Sequence, residues 1–145
     1  SATNIDLATI NIAINPEDNA IVFTEAPNSG TYLTTCIING YNEEFAFDKS
    51  ADAMISLDKA MDLLKWGAIS KEDFEGDPER ILADNTIADR AIINIKEINI
   101  ANKKVENIKV KVNHKLNYGL VFGDRLMKQF GSYSYNTKTH KLKIE

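Results

Sequence analysis

A single cysteine, Cys36, excludes a disulfide within the chain. It sits in "TYLTTCIING", an apolar stretch where a buried structural thiol is expected. No histidine lies near it in sequence and no hydrolase signature surrounds it, which argues against a nucleophile. Histidine is scarce as well. His114 and His140 occupy polar strand-end or turn segments, with no partner at metal-ligand spacing. Neither a metal nor a cofactor is therefore expected. No apolar run approaches the ~18 residues of a membrane-spanning helix. No signal peptide is visible, but the chain starts at Ser1 and not at a methionine. An upstream export signal, and with it an exported or periplasmic location, stays compatible with the sequence. Basic charge is in deficit: 17 Lys and Arg face 21 Asp and Glu, a net charge of -4. That balance argues against a nucleic-acid or anionic-membrane partner. Repeats and low-complexity segments are absent.

What is present is an ordinary globular composition. The 145 residues are 43% hydrophobic and 26% charged, enough for one modest core and not for two. Most of the chain reads as strand. Residues 5–14, "IDLATINIAI", alternate, and Pro16 to Asn19 make a turn. "NAIVFTE" is a second short run, and "APNSG" a loop. "TYLTTCIING" and "EEFAFD" flank Asn39-Gly40, a strong hairpin signal. "SLDKAMDLLKWG" has helical spacing, with Ser56 as N-cap and Gly67 as stop. Ser70 and Asp73 have the spacing of a capping box. Residues 75–80 read as a polar loop. From Arg80 the sequence predicts strands, with turns at Asp84-Asn85-Thr86 and Ala101-Asn102-Lys103. "YGLVFG" is an apolar strand. "DRLMKQFG" predicts a short helix capped by Asp124 and stopped by Gly131, and a hairpin closes the chain. The lysines from Lys96 to Lys115 alternate with apolar residues. This is the pattern of a solvated strand face, with an anionic-ligand patch as the alternative. Trp66, at a helix end, is expected to pack against the barrel. Tyr133 and Tyr135 alternate, and are expected on one face of the closing hairpin.

Asp48 ends the strand in "FAFDKSADAMIS". On local sequence alone it is a strand-end carboxylate that caps the next turn. The ordered set says more. "IINGYNEEFAFDKSADAMIS" (37–56), "LADNTI" (82–87) and "GLVFGDRLMKQFGSYSYNTKTHKLKIE" (119–145) together resemble the retropepsin-like aspartic proteases, particularly their bacterial single-domain members. The resemblance covers residues 31–145 as one such domain. Residues 1–30 read as N-terminal strands of unassigned role. The implied fold is all-β, a closed barrel with one or two short helices. The implied partners are a second copy of the chain and a peptide or protein substrate.

In that chemistry two carboxylates share one proton. The ionised one activates a water, and the protonated one polarises the scissile carbonyl. A lobe of this size supplies one aspartate, so the resemblance implies a homodimer with the site on its two-fold axis. Asp48 matches the catalytic position. Lys49, Ser50, Ala51 and Asp52 match the active-site loop. Asp84, Asn85 and Thr86 match the flap tip, and Leu120, Val121, Phe122 and Gly123 match the support beneath the loop. Two residues depart from the family pattern. Lys49 stands where the family has Thr or Ser, and an ammonium has donors but no acceptor. Its charge also favours both carboxylates ionised, which opposes a shared proton. Ser50 stands where the family has Gly, and adds a side chain where backbones converge. Asp52 brings a further charge. The resemblance therefore implies a degenerate peptidase that keeps a peptide cleft. The alternatives are an active homodimeric endopeptidase and a non-catalytic interaction domain.

Overall fold

The computed structural model describes residues 14–15 and 18–145. The strand expected over residues 5–14 falls, but for its last residue, outside the described residues, as do Pro16 and Glu17 of the expected turn.

Eleven strands and three α-helices are described. The strands are β1 (Ile14–Asn15), β2 (Ala20–Val22), β3 (Thr24–Glu25), β4 (Tyr32–Ile38), β5 (Tyr41–Phe47), β6 (Met54–Ser56), β7 (Ile92–Ile100), β8 (Lys103–Asn113), β9 (Leu120–Phe122), β10 (Tyr133–Asn136) and β11 (Lys141–Ile144). The helices are α1 (Leu57–Trp66), α2 (Pro78–Ile81) and α3 (Asp124–Gln129). One sheet runs β3-β4-β5-β9-β6-β8-β7, and β4 also pairs with β7. That extra pairing closes six strands into a ring, β4-β5-β9-β6-β8-β7, with β3 attached outside. This is the expected closed, all-β barrel. The other sheet, β1-β2-β11-β10, joins the N-terminal strands to the closing hairpin. Among the described residues no helix is long and apolar enough to cross a membrane.

Turn chemistry sets the registers. Asn39 and Gly40 both have positive φ, at 49° and 88°, so Ile38 pairs directly with Tyr41. Ala101 and Asn102 repeat the device between β7 and β8, at 49° and 69°. Such two-residue turns match the strands' right-handed twist. Alternation on either side of a break in the β7–β8 pairing at Lys96 and Asn107 fills the barrel: Ile93, Ile95, Ile98 and Ile100 are fully buried with Phe45 and Phe122. The Phe45 and Phe122 rings meet at 4.7 Å, locking β5 onto β9. Cys36 is fully buried, and burial pushes its thiol well up, as a structural cysteine requires.

The expected "NAIVFTE" run divides at Phe23. β2 goes to the second sheet and β3 to the barrel, while Phe23 packs edge-on to Phe45 and Tyr135. Helix α1 starts where predicted, with Lys59 N–H donating to Ser56 Oγ at 3.1 Å, and stops at left-handed Gly67. The Ser70–Asp73 capping box is formed. An ion pair that sequence did not suggest fixes α1 on β5: the half-buried Lys59 Nζ lies 2.6 Å from the buried Glu43 Oε1.

Three expectations are corrected. Residues expected as loop and strand turn helical at Pro78–Ile81, because Asp77 caps the Glu79 N–H and Pro78 fits a helix start. The N-cap of α3 is Gly123 and not Asp124, whose carboxylate is taken by other partners. Trp66 is 48% exposed and does not pack into the barrel. Its ring instead lies under Lys59 Nζ, 5.4 Å from the centroid. The lysine-rich face is solvated. Lys96, Lys104 and Lys109 are answered by Asp73, Glu97 and Glu75.

Candidate functional site

Strand β9 runs between β5 and β6, parallel to the first and antiparallel to the second. The loop from Asp48 to Ala53 must therefore pass over the end of β9. This crossing places Asp48. Its N–H donates to Phe122 O at 3.0 Å, and its carbonyl accepts from the Ala51 N–H at 2.9 Å. Its carboxylate turns back onto the loop. Oδ1 accepts from the Ser50 N–H at 3.0 Å and from Ser50 Oγ at 2.8 Å. This is an Asx turn with an added hydroxyl. Among the described residues Oδ2 has no hydrogen-bond partner. Asp48, Lys49 and Ser50 are exposed.

The support beneath the loop is apolar and close. Leu120, Val121 and Phe122 are buried. Gly123 presses its backbone against the loop. A Cβ there would stand 1.9 Å from Ala51 O and 2.7 Å from Asp48 O. Asp124 N–H then donates to Lys49 O at 3.3 Å.

Asp48 borders a cleft of ≈ 500 Å³, together with Tyr32, Phe47, Lys49, Tyr118 and His140. The His140 ring stacks on Tyr32 at 3.5 Å between centroids, and its Nδ1 lies 3.2 Å from the Tyr135 hydroxyl. An adjoining cleft of ≈ 900 Å³ shares Phe47, Lys49 and Tyr135, and is bounded by Asp124, Lys128 and Tyr133. As expected, Tyr133 and Tyr135 share a face, and both rings pack on Phe47.

The second cleft holds a network that sequence reasoning missed. Tyr133 donates its hydroxyl to Asp124 Oδ1, and Lys128 Nζ lies 2.9 Å from Asp124 Oδ2. The Tyr133 bond and then Lys128 hold the Asp124 carboxyl below its usual range, and the Lys49 ammonium adds to this. Burial, reinforced by Asp124, pushes the Tyr133 phenol up to about 12. The sign follows: the raised phenol contributes stability below its unfolded pKa near 10, and loses it as pH rises through about 12. An absorbance titration should show Tyr133 ionising near pH 12. Asp124→Asn should lower that midpoint only in part, because the larger contribution, burial, stays. The i,i+4 spacing of Asp124 and Lys128 was readable from the sequence, but the Tyr133 contact depends on how the closing hairpin folds back.

Other expected site residues lie apart. Asp52 faces a different cleft, with Lys109, Lys111 and Arg125. Asp84 and Asn85 form a left-handed turn, φ 56° and 58°, closed by Thr86 N–H to Ala83 O at 3.2 Å. The Ala88 N–H reaches Ile81 O at 2.7 Å, so the chain doubles back around this tip. Asp84, Asn85 and Thr86 are exposed and line neither cleft beside Asp48. Among the described residues no group of three or more His, Cys, Asp or Glu is arranged to hold a metal.

No protein-family model and no curated protein matches the chain. Solved structures do. A retropepsin-like aspartic protease from Rickettsia conorii superposes with a TM-score of 0.56 at 18% identity, over 85% of this chain and 89% of that one. The retroviral protease-like domain of Ddi1 from Leishmania major superposes with a TM-score of 0.54 at 14% identity, over 83% and 89%.

Proposed function

We propose that this chain, whose fold is that of the retropepsin-like aspartic proteases, contributes one half of a two-fold peptidase site, binds an extended peptide beside Asp48 and hydrolyses it poorly. One observation carries the reading. Asp48 stands exposed at the β5–β9–β6 crossing and borders a cleft, with one carboxylate oxygen fixed by Ser50 and the other without a hydrogen-bond partner among the described residues. An open oxygen at that place can bind the attacking water. The second carboxylate of the dyad has to come from another copy, because this loop supplies only one at its crossing. The aromatic wall of Tyr32, Phe47 and Tyr118 suits apolar side chains of a peptide. The Asp84–Asn85 tip is assigned to the cover over that peptide. Its exposure and left-handed turn support the assignment.

Poor hydrolysis follows from the loop. Lys49 brings a cation without an acceptor beside the reacting group. Ser50 places a side chain where the two copies converge. The test combines sedimentation velocity with a diverse peptide library at acidic to neutral pH. The expected result is a dimer with weak cleavage that Asp48→Asn abolishes. Equal cleavage by both proteins would overturn the role of Asp48. A monomer with no cleavage would instead leave a non-catalytic interaction domain.

A further inference from the structure

Strand β8 is covered along one edge and nearly bare along the other. β7 pairs with it from Lys103 to Lys111, but β6 meets it only at Lys111, Val112 and Asn113. Two hydrogen bonds tell the edges apart. Val112 N–H donates to Ala91 O at 2.8 Å, on the β7 side, and Lys111 N–H donates to Ala53 O at 3.0 Å, on the β6 side. Backbone groups alternate between the two edges of a strand. Lys109 N–H and C=O therefore face the β6 side, where β6 has not yet begun. No backbone hydrogen bond joins them to the Asp48–Ala53 loop among the described residues.

Between this edge, the loop and helix α3 lies a cleft of ≈ 390 Å³. Its apolar side is made by buried Ile108 and Leu126, with half-buried Ala53. Its rim is cationic. Glu75 answers Lys109 at 2.5 Å, but Lys111 and Arg125 form no ion pair among the described residues. Asp52 is the one carboxylate in the lining, and it pairs with neither. β8 itself carries four lysines and one acid, Glu106, so the edge is basic on a chain of net charge -4. Lysines and a distorted strand are common protection for an open edge. Asn107 supplies the distortion, at φ 56°. Such protection repels a second copy of the same basic edge, but it attracts a strand of opposite charge.

We propose that the open edge of β8 at Lys109, with the cleft it shares with α3, is a docking site for an extended acidic segment of a partner protein. The segment adds to β8 as a further strand, held by main-chain hydrogen bonds to Lys109 N–H and C=O. Its side chains alternate. Carboxylates on one face meet Lys111 and Arg125, and apolar groups on the other lie against Ile108 and Leu126. The site shares no lining residue with the two clefts beside Asp48, and it does not rest on the peptidase reading.

The test follows the backbone amides of the whole chain by NMR while a short peptide alternating glutamate and valine is added. The Lys109 amide should shift and exchange more slowly with water, and Lys111 and Arg125 should shift with it. Binding should weaken about fivefold in Lys111→Gln with Arg125→Gln, the loss expected for two exposed ion pairs. Both residues are exposed, so the fold tolerates their replacement. The peptide with glutamine in place of glutamate should bind correspondingly less. N-methylation of alternate peptide amides, in the register that faces Lys109 C=O, should remove the protection of Lys109. Binding that leaves Lys109 exchange unchanged would overturn strand addition. Equal binding of the glutamine peptide would overturn the charge argument. Free glutamate that shifts the same amides as strongly would leave a small-anion site and no docked strand. Shifts confined to Asp48 and Tyr118 would place the peptide in the other cleft and sink the proposal, as would no shift at all.

Discussion

Gly123→Ala should destabilise the protein by about 3 kcal/mol or more, lowering the melting temperature by roughly 10 °C for a chain of this size. The reason is contact with backbone, not conformational freedom: Gly123 is extended, at φ -125°. Its missing Cβ would lie 1.9 Å from Ala51 O and 2.7 Å from Asp48 O. No rotamer change relieves a clash with a carbonyl. Either β9 leaves β5, breaking the Asp48 N–H to Phe122 O bond, or the loop lifts and carries Asp48 with it. Both routes disturb the crossing on which the site is built. Gly119→Ala is the comparison. There the nearest atom is Lys59 Cε at 3.2 Å, the far end of a flexible side chain that can move aside. It should cost under about 1 kcal/mol. Thermal melts of the two variants decide the matter. Equal losses would mean that Gly123 does not hold the loop by close approach.

That close approach shows why parts of the site were legible and others were not. "GLVFG" announces a buried support, since a run of Leu, Val and Phe has no solvated face. Asp48 was legible as a position because the Asn39-Gly40 turn and the Phe45/Phe47 alternation fix where β5 ends. The barrel's closure was less visible. It rests on four short contacts, β4 with β7, β5 with β9, β9 with β6 and β6 with β8, between strands with no local signal for each other. The helical turn at Pro78–Ile81 was hidden by Ile81 and Leu82, which suit a strand equally well, although Asp77-Pro78 was a start signal. The split at Phe23 was illegible, since the run looks continuous until two sheets compete for its halves. The Asp124–Tyr133 bond was out of reach for a similar reason. Asp124 reads as an N-cap, and only the fold brings the hairpin's tyrosine over it.

Restoring the loop chemistry should raise peptide hydrolysis. The variant Lys49→Thr with Ser50→Gly should cleave library peptides with kcat/KM at least about tenfold higher, equivalent to ~1.4 kcal/mol of transition-state stabilisation. If the proposed two-fold site forms, a threonine hydroxyl, which both donates and accepts, lets the two copies exchange hydrogen bonds across the axis, where two ammonium groups would repel each other. Glycine keeps the N–H that reaches Asp48 Oδ1 at 3.0 Å and removes only the Oγ contact at 2.8 Å. The carboxylate stays aimed while its surroundings open. Added backbone freedom should cost about 0.5–1 kcal/mol of stability, which an exposed loop tolerates. On the proposed two-fold site each single variant should fall short of the pair, because the introduced threonine needs close approach of the two loops and the Ser50 side chain would stand between them. Asp48→Asn in the double variant should return cleavage to background, which ties the gain to this carboxylate. If the double variant is dimeric yet cleaves no faster than native protein, Lys49 and Ser50 are not what limits hydrolysis. The fault then lies in the second carboxylate's approach or in the cover over the peptide.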